Sequence, residues 1–495
     1  MLALAVLTAL AFLARTAVFW KREPGGVDAW YYLAYARAFR RNPGLRVRLP
    51  EYLLQDEEQS YAPVFPSLLG LLPEAFLKRA YWAISPAIDC LTLILLHTLA
   101  RTLTNSPEAA LVAAAAYAVS PAMVSETRAL TPRSLSVLLQ AVSLLLMLQA
   151  ADTRDTVSIA AAIAASAVLF LSSATGLAAY LFVATVFSLT RTDLVYLTIG
   201  LAGLVAAWIL SLGHLGSVFS NYVHAVRFRI RNRRSFGSHP ILDSPLYGGP
   251  REPWSAGARE PGFLGGGLGP QIVRLIGEHP LVLVLALTPP TGDPLYVWAA
   301  SLAALAVAGT LAWPLRAFGP GRNYMKSAIF PTLLVAADGI TKAGGLRSVI
   351  GTATLVALAA SVASVVFFVV YMRRKKDELT AHVPRGLSAL AARFEALPPG
   401  GVVCLPGGYS DYIAYRTKRP VLWGSHSGSL DKFELVSPVW RERVETAARR
   451  LGVRYLIVER AYVDPTVLAL DGGCAAIGHE DGFDLFDLQA PSLAA

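Results

Sequence analysis

The chain carries little charge for its size. Of 495 residues only 16% are Asp, Glu, Lys or Arg, while 54% are hydrophobic and the mean hydropathy is +0.48. Soluble globular chains hold nearer ~25% charged residues, so an ordinary soluble fold is excluded, as are disorder and collagen. Cysteine is scarce as well: three residues cannot build a disulfide framework. No Lys/Arg-rich run with interleaved aromatics occurs, so the net charge of +10 does not point to nucleic acid. It reads as loop arginines beside lipid headgroups or an anionic substrate. His214, His224, His239 and His279 lack a spacing such as His-x-x-x-His and are not read as metal ligands. There is no internal repeat.

What is present is a series of apolar runs. A membrane span needs about 20 mostly apolar residues. Candidates are 2–20, 80–100, 107–123, 133–151, 156–172, 174–190, 194–212, 294–313, 324–341 and 348–371. The first has no basic n-region and no clear cleavage site, and is read as a span rather than a signal peptide. A shorter run, 280–290, ends in Pro-Pro and reads as a short or broken span. The expected fold is therefore a polytopic α-helical membrane protein of 10–11 spans. Small-residue runs at 113–116 and 160–165 suit close helix packing in lipid.

Two long polar loops interrupt the spans, 21–79 and 213–279. After Tyr371 the composition changes. The run Arg373-Arg374-Lys375-Lys376 opens a charged tail that reads as α/β, giving two expected domains, 1–372 and 373–495. Short apolar runs at 402–405, 420–423 and 455–458 are expected strands, the first and third parallel neighbours. Residues 387–397 and 438–451 are expected helices, and 483–488 an edge strand. Arg101, Arg154, Arg191, Lys342 and Arg347 in short loops place the N-terminus inside and both long loops outside. Eleven spans would put the tail outside too, although the Arg373-to-Lys376 cluster argues the other way.

Residues able to carry chemistry lie mostly in the loops. In Gly25-Gly26-Val27-Asp28-Ala29-Trp30-Tyr31-Tyr32 a carboxylate follows the first span and precedes an aromatic cluster. Asp28 there can act as a general base on a hydroxyl or hold a metal, or simply cap the helix after it. The aromatics suit a sugar face or an interface belt. Further along stand Asp56-Glu57-Glu58 and Tyr61-Ala62-Pro63; the acidic run reads as a cation site or a solvated loop. Arg227, Arg229, Arg231, Arg233 and Arg234 alternate, which in an extended segment would set four on one side, able to steer an anionic lipid. His426, in Gly424-Ser425-His426-Ser427-Gly428, reads as a turn histidine or a carbohydrate contact. Cys404 and Cys474 in the tail could pair if the tail is extracytoplasmic; Cys90 lies within a span.

The Asp28 segment and the Tyr61-Ala62-Pro63 re-entry resemble the GT-C superfamily of polytopic glycosyltransferases that use lipid-phosphate-linked sugars. That superfamily includes protein O-mannosyltransferases, aminoarabinose transferases and the catalytic oligosaccharyltransferase subunit. Two later stretches are similar as well: Ser125-Glu126-Thr127-Arg128 with Thr131-Pro132-Arg133-Ser134, and Arg322-Asn323-Tyr324 with Pro331. So are the tail stretches Gly407-Gly408-Tyr409-Ser410-Asp411-Tyr412 and Leu451-Gly452-Val453-Arg454-Tyr455, which look like archaeal members. The resemblance covers nearly the whole chain.

The resemblance implies an enzyme that moves a sugar from a polyprenyl-phosphate donor to a protein, glycan or lipid acceptor on the extracytoplasmic face. Asp28 would be the catalytic acidic residue, as base or ligand of a divalent cation. Glu126 matches the acid of the second outer loop loosely, because Thr131-Pro132-Arg133 stands where an acidic pair is expected. Arg322 would grip the lipid-linked phosphate through its planar fork. Tyr324, Tyr31, Tyr61, Arg227 and Arg229 are the further substrate-binding candidates. Competing classes are a permease, marked by the intramembrane charges Arg15, Asp89 and Asp338, and a non-catalytic subunit of the same fold.

Overall fold

The computed structural model describes residues 1–17, 27–54, 58–127, 129–232, 235, 238–247, 268–374, 383–426, 430–470 and 474–489. The chain opens with α1 (Leu2–Thr16), α2 (Val27–Arg41) and α3 (Val64–Leu71), then α4 (Glu74–Thr104), α5 (Pro107–Ala118) and α6 (Pro121–Thr127). A second group runs α7 (Arg133–Thr153), α8 (Thr156–Phe170), α9 (Ala174–Thr190), α10 (Val195–Leu210) and α11 (His214–Arg231). A third holds α12 (Leu268–Glu278), α13 (Val282–Leu287), α14 (Pro294–Leu311), α15 (Trp313–Arg316), α16 (Gly321–Lys342) and α17 (Val349–Arg374).

Local sequence sets many of these boundaries. Ser106, Asp155, Ser173 and Asp293 each accept a hydrogen bond from a first-turn N–H of α5, α8, α9 and α14, and Pro follows directly at Pro107 and Pro294. Asn105 and Arg154 end α4 and α7 in the left-handed conformation. Such caps shorten the apolar runs. Among the described residues four helices are long and apolar enough to cross a bilayer, namely α4, α7, α14 and α17. The count rises to six if the bent pairs α5–α6 (51°) and α10–α11 (112°) are each one span. By length and composition alone that is fewer than the expected 10–11, because α1, α8 and α9 are apolar but 15, 15 and 17 residues long. Helix α16 is long enough, but carries Arg322, Lys326, Asp338 and Lys342.

The run 280–290 forms only the six-residue α13, about 9 Å of helix against a ~30 Å hydrocarbon core. It nevertheless links the two ends of the bundle. Its preceding helix α12 packs on α6 and α14, while Gly292 accepts a hydrogen bond from Arg191 (2.8 Å) at the far end, where Arg154 also pairs with Asp193. The charges inside the bundle have partners. Arg15 on α1 pairs with Asp89 on α4, both fully buried, and Tyr117 donates to Asp89 at 2.6 Å. Asp338 pairs with Lys342 one turn on, at 2.6 Å.

The tail holds α18 (Arg385–Arg393), β1 (Gly401–Leu405), α19 (Ser410–Thr417), the four-residue α20 (Leu430–Phe433), α21 (Val444–Arg450), β2 (Val453–Glu459), β3 (Ala475–Glu480) and β4 (Phe483–Asp487). Its sheet has the order β1-β2-β4-β3. β1 and β2 are parallel, with Val402 opposite Tyr455 and Leu405 opposite Val458, as expected. Three expectations change. Residues 420–423 make two isolated bridges, from Val421 to Val402 and to Tyr52, instead of a strand. The helix expected over 438–451 is confined to α21. β4 is internal rather than an edge, because the exposed and weakly patterned β3 adds outside it. Cys404 and Cys474 are both free thiols.

The tail packs on the first loop. Tyr31, Tyr35, Tyr52 and Phe65 of the loop share one buried cluster with Val402, Tyr412, Val421 and Tyr455 of the tail. Leu53 and Leu54 N–H groups donate to Val421 and Leu422 (2.9 and 3.0 Å), and Arg37 donates to Tyr415 O (2.9 Å). Loop and tail thus lie at the same end of the helical bundle.

Candidate functional site

A cavity of about 460 Å³ opens where bundle, first loop and tail meet. Asp28 stands in the first turn of α2, on its wall, with a side chain 41% exposed. Beside it, Tyr32 and Tyr61 exchange a hydroxyl hydrogen bond (2.9 Å), and Tyr32 also meets Nε2 of His426 at 3.0 Å. That nitrogen lies 4.0 Å from Asp28 Oδ2. Burial raises the Tyr32 and Tyr61 hydroxyls above their ordinary pKa, and the charge of Asp28 adds to this, so both stay neutral donors. Burial likewise lowers the His426 imidazole below its usual value, opposed by Asp28.

The cations are Arg133 at the start of α7, Lys326 in the second turn of α16 and Arg229 on α11. Glu126 receives both Arg133 and Lys326. Lys326 is only 5% exposed, and its placement depends on Gly321: a Cβ there would overlap Ala306 O and Thr310 Oγ1 of α14. The close approach of α16 to α14 brings Asn323 and Lys326 to the cavity.

A second, apolar compartment of about 330 Å³ adjoins the first and shares Ala174, Val218, Tyr222 and Phe318 with it. Phe182, Phe219, Leu305 and Leu315 also line it.

The residues singled out in the sequence are distributed as follows. Asp28 and Tyr61 line the polar cavity, and so does Arg229, which also donates to Ala317 O at 2.8 Å. Glu126 lies behind the wall, bound to two cations, rather than on it. Tyr31 is buried below the surface and donates to Gln59 (3.0 Å). Tyr324 lines the apolar compartment. Arg322 is half-buried on the same turn as Asn323 and is not among the lining residues, whereas Asn323 and Lys326 are. Arg227 and Arg231 are exposed: the segment is helical, not extended, because Leu215, Val218, Val226 and Phe228 supply a buried face. Arg231 pairs with Glu434 (2.9 Å). Arg128, Asp56, Glu57, Arg233 and Arg234 lie outside the described residues.

Sequence reasoning passed over Lys326 and Arg133 as binding groups. The signal for Lys326 was available: with Asp338 it is one of two charged residues inside the expected span 324–341, where a charge marks function by default. Among the described residues no group of three or more His, Cys, Asp or Glu side chains comes together to hold a metal. Asp28 is the one carboxylate on the described cavity wall and Glu126 is held by two cations, so these residues do not fit a divalent-cation site.

No protein-family model matches the chain, and no curated protein sequence matches it. Solved structures do. ArnT from Cupriavidus metallidurans, bound to undecaprenyl phosphate, superposes with a TM-score of 0.59 at 13% identity, over 98% of this chain and 97% of that one. The archaeal oligosaccharyltransferase AglB from Archaeoglobus fulgidus, in complex with an inhibitory peptide and a dolichol-phosphate, matches with a TM-score of 0.55 at 12% identity, over 92% and 69% of the two chains. An Archaeoglobus fulgidus oligosaccharyltransferase complex with Zn and sulfate gives 0.54 at 13% identity, over 92% and 68%. The chain therefore has the fold of the GT-C glycosyltransferases and is an integral membrane protein.

Proposed function

We propose that the chain is a membrane glycosyltransferase that moves a sugar from a polyprenyl-phosphate donor to a protein, glycan or lipid acceptor on the extracytoplasmic face. One observation carries this reading: a polar cavity with a carboxylate and three cations on its walls adjoins an apolar compartment. A lipid-phosphate sugar has these two halves, an anionic head and a hydrocarbon tail. The ligands named for the two structural neighbours, undecaprenyl phosphate and a dolichol-phosphate, are lipid phosphates, the carrier part of such a donor. Residues 1–372 are read as the membrane domain and 373–495 as a soluble domain whose sheet is confined to the tail.

In this reading Arg133, Lys326 and Arg229 meet the donor phosphate and stabilise the charge that grows on it as the sugar leaves. Asp28, half-exposed and, among the described residues, with no Lys or Arg within ion-pair distance, takes the proton of the acceptor hydroxyl. The intramembrane charges that a permease would use are matched within the bundle: Arg15 with Asp89, and Asp338 with Lys342.

Two variants test the assignment in nanodiscs. Lys326→Met is expected to weaken binding of undecaprenyl phosphate by roughly 10- to 100-fold, the loss of a charge-assisted hydrogen bond of ~1.5–3 kcal/mol. Asp28→Asn is expected to keep that binding and to abolish release of undecaprenyl phosphate from its glycosyl esters. Full turnover by Asp28→Asn would remove the reading.

A further inference from the structure

The tail lines the cavity with Gly424, Ser425, His426, Leu430 and Phe433, and of these His426 stands beside Asp28. Its turn is held from three directions. The Ser425 N–H donates to Asp411 Oδ2 at 3.0 Å, and Asp411, at the start of α19, is fully buried. Gly424 lies against Asp411 and the ring of Tyr52, where a Cβ would overlap both. The imidazole itself is caged by Tyr61, Tyr31 and Tyr32, with ring centroids 4.4, 4.6 and 5.3 Å away. A merely structural turn would not need a buried carboxylate, a glycine and three tyrosines to hold one histidine beside Asp28.

We propose that His426 acts with Asp28 in the transfer as the second proton carrier, and that Asp411 is the positioning residue that holds the His426 turn over the cavity. The inference rests on the glycosyltransferase reading. In the step, the acceptor O–H bond breaks and its oxygen bonds to the anomeric carbon of the sugar. The bond from that carbon to the donor phosphate oxygen breaks, and its electron pair leaves on the lipid phosphate. The proton passes to Asp28, then to Nε2 of His426, and leaves past the exposed Ser425. The 4.0 Å gap between Asp28 and His426 closes with a small side-chain motion, as catalytic contacts do when substrate binds. Tyr32 can release Nε2 because its hydroxyl already has Tyr61 as a second partner. The charged and titratable groups facing the imidazole are Asp28, Tyr31 and Tyr32 of α2, Tyr61 of the first loop and Arg133 of α7, whose charge also disfavours imidazolium. A neutral imidazole is the form able to accept the proton.

The test uses the full chain in nanodiscs with undecaprenyl-phosphate-linked mannose, glucose and arabinose as donor probes, reading release of undecaprenyl phosphate. His426→Gln is expected to lower kcat roughly 100-fold, the low end for a positioned proton acceptor, with donor KM and undecaprenyl phosphate binding within about twofold of wild type. Retained binding shows that the variant folds. Asp411→Ala is expected to fall on the same step, Asp411→Asn to restore it through its amide oxygen, and the double variant Asp411→Ala/His426→Gln to be no slower than His426→Gln alone. Wild-type kcat in His426→Gln would overturn the proton role. Additive losses in the double variant would reduce Asp411 to a structural part. No release by the wild-type chain from any of the three donors would instead count against the transferase reading itself, and the inference would fall with it.

Discussion

Asp411 gives a consequence at the scale of a single residue. Burial raises its carboxyl from 3.8 to about 6, while the Ser425 hydrogen bonds oppose the rise. A raised carboxyl pKa means that the folded state holds the proton more tightly than the unfolded one. This contribution to stability is therefore greatest at low pH, and it declines as pH rises from near 3.8 through about 6. Thermal unfolding followed between pH 5 and 7.5 is expected to show a falling Tm in the wild type and a flatter profile in Asp411→Asn; equal slopes would reject the assignment. A different buried carboxylate behaves in the opposite sense when deleted. Asp89 has Arg15 and Tyr117 as partners in the bundle interior. Removing it strands a buried guanidinium, so Asp89→Ala is expected to cost about 3–5 kcal/mol, read as lost thermal stability in detergent.

At the scale of elements, the contact of α14 with α16 places Lys326, one of the three cations of the cavity. The first turn of α16 lies against Ala306 and Thr310 because residue 321 has no side chain. Gly321→Val is expected to push the helices apart, with an overpacking cost of about 1–3 kcal/mol. It is also expected to move Lys326 away from Glu126 and the cavity. Affinity for undecaprenyl phosphate then falls along with stability, whereas Gly44→Val, at an exposed loop glycine with open space around its Cα, is expected to change neither. Helix α11 makes a related point. Read as an extended segment, its arginines would form one cationic row. As a helix, its Arg227 and Arg231 point away from Arg229, and only Arg229 lines the cavity.

At the scale of the whole molecule, first loop and tail sit together at one end of the bundle, and the ends of α7, α9 and α16 lie at the other. Single-cysteine variants in a background lacking the three native cysteines test the sidedness. Asn42→Cys and Ser425→Cys are both exposed and at the cavity end, whereas Ala343→Cys is exposed at the far end. An impermeant maleimide applied to intact cells is expected to label positions 42 and 425 together and to spare 343. Labelling of 343 alone would invert the extracytoplasmic orientation. Labelling of 42 without 425 would contradict the packing of tail on loop.

The sequence alone determined the membrane class, the tail with parallel strands β1 and β2, and Asp28 as the leading acidic candidate. Each of these rests on information local in the chain: a run of apolar residues, a short buried strand, a carboxylate beside aromatics at a span end. Tertiary structure decided the rest. His426 lies 394 residues from Tyr32 and Lys326 lies 200 from Glu126, and no periodicity relates residues so far apart. Asp28, Arg133, Lys326 and His426 share one cavity because Gly321 lets two helices touch, and because a buried carboxylate and a ring of tyrosines hold the tail turn. These are packing constraints, set by which surfaces meet. For the same reason Lys326, not Arg322, lines the cavity, although the two stand one turn apart on the same face of α16: only the neighbouring elements fix at which level along that face the cavity lies.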